Sequence, residues 1–208
     1  MKDWVGNSKA TFTTLGASNH VEHDRAEHDY YATEPAAVNS LFDQTDFFEG
    51  VNKVWECACG AGHLSKRMEE LGLDVYSTDL YNHNYGIDGV DFLACNSLPK
   101  GVDCILTNPP YVKALEFCEK CVELGVPKFA MFLKLTFLEG KSRRTFFEQH
   151  PPRYVHVFSN RVICAMNGDP EMFQKSSASC YAWFVWEKGY KGKPEITWLW
   201  KGNNDIRN

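Results

Sequence analysis

The chain lacks any apolar run long enough to span a bilayer, and its opening residues, Met1-Lys2-Asp3-Trp4-Val5-Gly6, lack the apolar stretch of a secretory signal. A membrane protein and a secreted one are both disfavoured, and a soluble cytoplasmic protein is expected. Positive charge is also in short supply. The 22 Lys and Arg stand against 27 Asp and Glu, for a net charge of −5, so any grip on phosphate has to come from a local basic face. Eight cysteines are present, and a zinc site would need their two close pairs, or His partners, to converge. Cys57-x-Cys59 falls in a glycine-rich turn and Cys118-x-x-Cys121 on one face of a predicted helix, so reduced thiols acting as small apolar residues are expected, with no metal. His20, His23 and His28 lie among Glu22, Asp24, Glu27 and Asp29, in a stretch too charged and too poor in apolar residues to build a core. Residues 1–28 therefore read as a solvated lead segment, and 29–208 as one domain.

What is present is an alternation of short apolar runs and helical stretches. Segments 51–56, 73–78, 102–107, 128–133, 154–158, 180–186 and 196–200 read as strands. Segments 36–42, 63–71, 113–124 and 138–150 read as helices, the last of them stopped by Pro151-Pro152. The alternation predicts a Rossmann-like α/β fold: a mostly parallel seven-stranded sheet, helices on both faces, and an antiparallel hairpin of the last two strands at one edge. Ligands of such sheets bind outside the carboxyl ends of the strands.

Three of those strand ends carry candidate site residues. The run 102–107 ends in Asn108-Pro109-Pro110-Tyr111. Each proline fixes its own φ and biases the residue before it to extended geometry, so the Asn108 amide and the Pro109 carbonyl are held in place beside an aromatic ring. Two such acceptors can take both hydrogens of a planar amine while Tyr111 stacks on the ring that bears it. Taken alone, the tetrapeptide reads equally well as a Pro-Pro turn closing a buried strand.

The strand 51–56 runs into Glu56-Cys57-Ala58-Cys59-Gly60-Ala61-Gly62 and then a helix. Glycines at 60 and 62 allow close approach of a ligand to the backbone. A dinucleotide turn would require a third glycine where Ser65 stands, which disfavours a nicotinamide or flavin cofactor. The strand 73–78 ends in Asp79, nineteen residues after Gly60, where a carboxylate can accept from both hydroxyls of a ribose.

In this order the segments resemble the motifs of S-adenosylmethionine-dependent N6-adenine DNA methyltransferases. Asn108 to Tyr111 resembles motif IV, the 56–62 turn motif I, and Asp91-Phe92-Leu93 motif III. Asp29-Tyr30-Tyr31-Ala32-Thr33-Glu34-Pro35, with Thr33 as a candidate N-cap of the next helix, resembles motif X. Cys57 and Glu34 stand where many relatives have proline. The matches cover residues 29–111, about two fifths of the chain.

The resemblance implies a class I methyltransferase fold and S-adenosylmethionine as cofactor. It places Tyr31, Thr33, Pro35, Glu56, Ala58, Cys59, Gly60, Gly62, Asp79, Leu80, Asp91, Phe92 and Asn108 at that cofactor, with Asn108, Pro109, Pro110 and Tyr111 as the catalytic corner. The implied reaction is direct in-line methyl transfer to an adenine N6 flipped out of DNA. An RNA base amine or a protein glutamine presents the same planar group and is the alternative substrate. A silent cofactor-binding partner subunit is the alternative of another class.

Charge supports a nucleic-acid face near the corner. Residues 1–112 hold 7 basic against 17 acidic side chains, whereas 113–161 hold 9 against 5. Lys134, Lys141, Arg143, Arg144 and Arg161, with Tyr111, are the expected substrate contacts, and the 159–179 loop is the candidate for substrate selection. No separate target-recognition domain is expected in the 97 residues after Tyr111. The partner is DNA, with RNA in second place, and the chain acts as a monomer or homodimer in a restriction system, a phage or another setting.

Overall fold

Every residue of the strand Cys104–Thr107 is buried, as are five of the seven in Lys128–Lys134 and six of the seven in Tyr181–Glu187. Strands apolar on both faces need helices on both sides, and this chain supplies them. The computed structural model describes residues 27–174 and 179–202. All but the last two residues of the expected lead segment, including His20 and His23, lie outside that range.

The strands in chain order are β1 (Tyr31–Thr33), β2 (Lys53–Glu56), β3 (Asp74–Ser77), β4 (Cys104–Thr107), β5 (Lys128–Lys134), β6 (Tyr154–Phe158), β7 (Cys164–Met166), β8 (Tyr181–Glu187) and β9 (Glu195–Leu199). The α-helices are α1 (Ala36–Gln44), α2 (His63–Glu70), α3 (Ala114–Glu123) and α4 (Lys141–Gln149). Seven strands form one sheet in the order β3-β2-β4-β5-β8-β6-β9, and β1 with β7 makes a separate two-stranded ribbon. Alternation along each strand splits the core in two. Trp55, Ile105, Met131 and Phe184 pack on one face with Phe117 and Cys121 of α3, while Val54, Leu106, Phe132 and Trp183 pack on the other with Leu41 of α1 and Met68 of α2. Ala114, Phe117, Cys118 and Cys121 form a single buried stripe on α3, so the Cys118-x-x-Cys121 pair is core, as expected.

The mostly parallel seven-stranded sheet is as expected, but the edge hairpin is not. β8 is the one antiparallel member and lies inside the sheet, between β5 and β6, while β9 pairs in parallel with β6. The physical reason is visible in the side chains. The near-continuous apolar run of β8 calls for neighbours on both edges and cover on both faces, whereas β9 is exposed at three of its five positions and tolerates the rim. The 159–179 stretch is not a plain loop either. It contains β7 and a 3-10 turn, Pro170–Gln174, and its residues 175–178 lie outside the described range.

Candidate active site

The carboxyl ends of β2, β3 and β4 open into a cavity of about 690 Å³ that β1, paired on its other side with β7, lines along one wall. Glu56 closes β2 and is 2% exposed. Ser65 Oγ of α2 donates to its carboxylate, and Ser77 Oγ donates to Ser65 Oγ at 2.7 Å. Burial, only partly offset by the Ser65 hydrogen bonds, pushes the Glu56 carboxyl up to about 8. Ser65, read from sequence as the missing third glycine, is thus the residue that anchors Glu56.

After β2 the chain turns through Gly60 (φ +51°) and Gly62 (φ +78°), both in the left-handed region. A side chain at Gly60 would run into the Tyr30 ring, and one at Gly62 into the Tyr85 ring, so the glycines serve close packing of tyrosines as well as the turn. The Gly60 amide donates to Asp79 Oδ2 at 2.8 Å, and the Tyr81 amide to Asp79 Oδ1 at 2.9 Å. Asp79 is 7% exposed, lines the cavity, and keeps further acceptor capacity on both oxygens.

Asn108, at the end of β4, has the most informative geometry. Its Nδ2 donates to the Tyr31 carbonyl and to Thr33 Oγ1, each at 2.8 Å. A carbonyl can only accept, so this pairing fixes which way the amide points. Asn108 Oδ1 is buried at the cavity with no partner among the described residues. Thr33 is therefore not the helix cap expected from sequence: it lies in β1 holding Asn108, and Pro35 occupies the cap position of α1.

Of the other expected cofactor residues, Tyr31, Ala58, Cys59, Leu80, Asp91 and Phe92 line the cavity, while Pro35, Gly60 and Gly62 do not. Asp91 Oδ1 caps the turn at Leu93 N (2.9 Å), and Phe92 is buried against Trp55 and Phe117. Burial pushes the Cys59 thiol up to about 12. Among the described residues no three or more His, Cys, Asp or Glu side chains converge as a metal site.

In the catalytic corner, Pro110 lines the cavity and Pro109 is buried behind it. The Tyr111 ring lies between Tyr31 (5.7 Å) and Tyr181 (6.3 Å), with Lys134 Nζ 5.0 Å from its centre and its hydroxyl 3.6 Å from Cys164 Sγ. Burial holds that phenol well above its ordinary pKa.

The expected basic contacts separate. Lys134 joins Tyr111 at the corner. Arg143 turns back to the Thr136 and Glu139 carbonyls and the Phe137 ring, and Arg144 pairs with Glu148 at 2.7 Å. Lys141 and Arg144 border a distinct shallow depression, and Arg161 donates to Cys180 Sγ at 2.8 Å.

Several cavity residues were not among the expected contacts, although Asp29 and Tyr30 open the segment that resembles motif X. Tyr30 accepts from the Ala61 amide at 3.2 Å and packs on His83 (4.3 Å), His28 stacks on Tyr81 at 3.7 Å, and Asp29 accepts from the Val112 amide at 3.2 Å. Residues 28–31 thus strap the loops that follow β2, β3 and β4. His63 lines the cavity as the first residue of α2, its imidazole pKa lowered by burial and then by Lys66. Of these, only the run of aromatics around position 30 gave any signal.

No protein-family model matches the chain, and neither does any curated protein. Solved structures share its fold. A protein of Pyrococcus horikoshii assigned as an RNA methyltransferase superposes with a TM-score of 0.57 at 14% identity, over 87% of this chain and 98% of its own. A modification subunit assigned to a type I restriction enzyme of Vibrio vulnificus gives 0.53 at 15% identity, over 96% of this chain and 52% of its own. A protein of Agrobacterium tumefaciens assigned as an O-methyltransferase gives 0.50 at 10% identity, over 79% of this chain and 85% of its own. At these identities the likeness is one of fold, the Rossmann-like sheet that such proteins have in common.

Proposed function

We propose that the chain is an S-adenosylmethionine-dependent methyltransferase acting on a planar amine, with adenine N6 in DNA as the substrate. The observation that carries this reading is the Asn108 amide, with its nitrogen held by two acceptors and its oxygen buried and unpartnered at the cavity. An unpaired buried acceptor costs about 1–3 kcal/mol, so the site is built to receive a donor, and an exocyclic NH₂ is one. The name of the type I modification subunit and the resemblance of the 29–111 motifs favour DNA as substrate. The name of the Pyrococcus horikoshii protein keeps RNA as the second reading.

The cavity residues suit that cofactor. Asp79 offers acceptors to a diol, Phe92 and Leu93 supply an apolar wall beside Asp91, and Glu56 with residues 57–59 lines the part of the cavity an amino-acid tail would take. When bound, S-adenosylmethionine supplies a methyl group on a sulfonium. The protein's part is to make the target nitrogen nucleophilic. Asn108 Oδ1 accepts an amine hydrogen and draws the lone pair out of conjugation, with the Pro109 carbonyl as the second acceptor that the motif resemblance implies. An amide does not take a proton at neutral pH, so both groups act by positioning and polarisation, and the proton the amine loses leaves to water after the methyl has been transferred. Tyr111 does not line the cavity itself; packed between Tyr31 and Tyr181 with Lys134 beside it, it is the ring the motif resemblance offers for stacking on the target.

The test is methyl transfer from labelled cofactor to unmethylated DNA, to RNA and to a protein extract, followed by nucleoside analysis. N6-methyladenine in DNA is the expected product. Label confined to RNA or protein replaces the substrate, and cofactor binding with no transfer anywhere favours a silent partner subunit.

A further inference from the structure

β9 forms one edge of the sheet, and among the described residues its outer side is unpaired over two residues. The Glu195 amide donates to the Arg153 carbonyl and the Ser159 amide to the Leu199 carbonyl, so residues 195, 197 and 199 turn their backbone groups toward β6. Residues 196, 198 and 200 therefore face outward. The Gln44 side chain caps position 200, accepting from the Trp200 amide at 3.0 Å and donating to its carbonyl at 2.7 Å. Among the described residues, nothing caps the backbone of Ile196 and Trp198 in this way. Their side chains, on the face that carries Val155 and Val157, are 55% and 68% exposed.

We propose that this rim is a homodimer interface, in which β9 pairs antiparallel with β9 of a second copy about a two-fold axis through Thr197. The free backbone groups argue for a second copy. In an antiparallel ladder two opposed residues exchange both their hydrogen bonds, and the next such pair lies two residues along. Pairing Ile196 with Trp198 of the partner, and Trp198 with the partner's Ile196, uses all four free N–H and C=O groups at once. A register centred on Trp198 would instead require the group at 200 that Gln44 already holds. The same register lays each indole beside the partner's Ile196, an aromatic–branched pair that favours strand association.

A two-fold contact also closes on itself, which is how an exposed edge avoids open-ended stacking. Lys193 comes opposite the partner's Lys201, whose charge Glu34 neutralises at 2.9 Å. The apolar area is modest, on the order of 200 Å² per copy from the two side chains, so the dimer is a weak, concentration-dependent one.

Sedimentation velocity over a concentration series, with cross-linking, tests this. The full chain is expected to shift from monomer to dimer across roughly 10–100 µM. Trp198→Glu and Ile196→Lys, with unchanged melting temperature, are expected to raise the dissociation constant at least about tenfold, the loss of one buried hot-spot side chain. Thr197→Cys is expected to give a reducible dimer under mild oxidation that the unmodified chain does not give. Opposed residues of a non-hydrogen-bonded pair lie about 4.5 Å apart at Cα, within disulfide reach. A chain that stays monomeric throughout overturns the proposal. So does a dimer indifferent to both rim variants, which would place the contact elsewhere, and so does a rim-sensitive dimer in which Thr197→Cys fails to cross-link.

Discussion

On the proposed function, Asn108 concentrates the chemistry in one side chain whose two ends do different jobs. Its nitrogen is spent on the Tyr31 carbonyl and Thr33 Oγ1, and its oxygen, unpartnered among the described residues, is the end that would meet the target. Asn108→Ala is expected to lower kcat by about a hundredfold or more, the usual cost of one preorganised polar contact, while cofactor affinity measured by calorimetry stays within a few-fold. Full transfer by that variant would remove the amide from the mechanism. Thr33→Val tests the other end. With one acceptor gone the amide is less firmly aimed, and a loss of about tenfold in kcat with unchanged cofactor binding is expected. If Thr33→Val matches wild type, the Tyr31 carbonyl alone orients the amide. The sequence exposed Asn108, Gly60 and Asp79 because each stands where an apolar run ends, a purely local signal. It misassigned Thr33, since a Thr two residues before a proline has the form of a helix cap and only the three-dimensional neighbour, 75 residues away, gives it another task.

Among the elements, the glycine turn and the strap at 28–31 act as a unit. Gly60 combines a left-handed φ with the Tyr30 ring lying where its side chain would go. Gly60→Ala is expected to destabilise the fold by about 1–2 kcal/mol from backbone conformation alone, and by more from the tyrosine. Adding Tyr30→Ala should recover the steric part, giving a non-zero coupling in a double-mutant cycle of melting curves. Strict additivity would show that the tyrosine gives way freely. The elements the sequence missed share one trait. β7 has three residues and no periodicity, and its partner β1 lies about 130 positions earlier, while β9 chooses β6 over the nearer β8. Pairings of this kind depend on which edges remain free once the core has formed, and no window of sequence encodes that.

For the molecule as a whole, two buried titratable groups lean in opposite directions. The Glu56 carboxyl is raised to about 8 from an ordinary 4.5, and burial lowers the His156 imidazole to about 4 from 6.5. The native state holds the Glu56 proton after the unfolded chain has lost it, so this group's contribution to stability is complete below pH 4.5 and is lost as pH rises to 8. His156 acts the other way, withdrawing stability as pH falls from 6.5 toward 4. Of these two groups, Glu56 is the one that changes between pH 6.5 and 8. The melting temperature of the ligand-free protein is therefore expected to fall across that window, and Glu56→Gln to flatten it, with a gain on the order of a few kcal/mol at pH 8. An unchanged slope in the variant would assign the pH dependence to another group.

The position of β8 also dictates an order of assembly. Residues 181–187 must enter between β5 and β6, so β6 has no neighbour on its inner side until they arrive. During synthesis the half-sheet β3-β2-β4-β5 can close early around the glycine turn and Asn108. The apolar edge of β5 meanwhile waits some fifty residues for its permanent neighbour, and in that interval the growing chain most needs a chaperone.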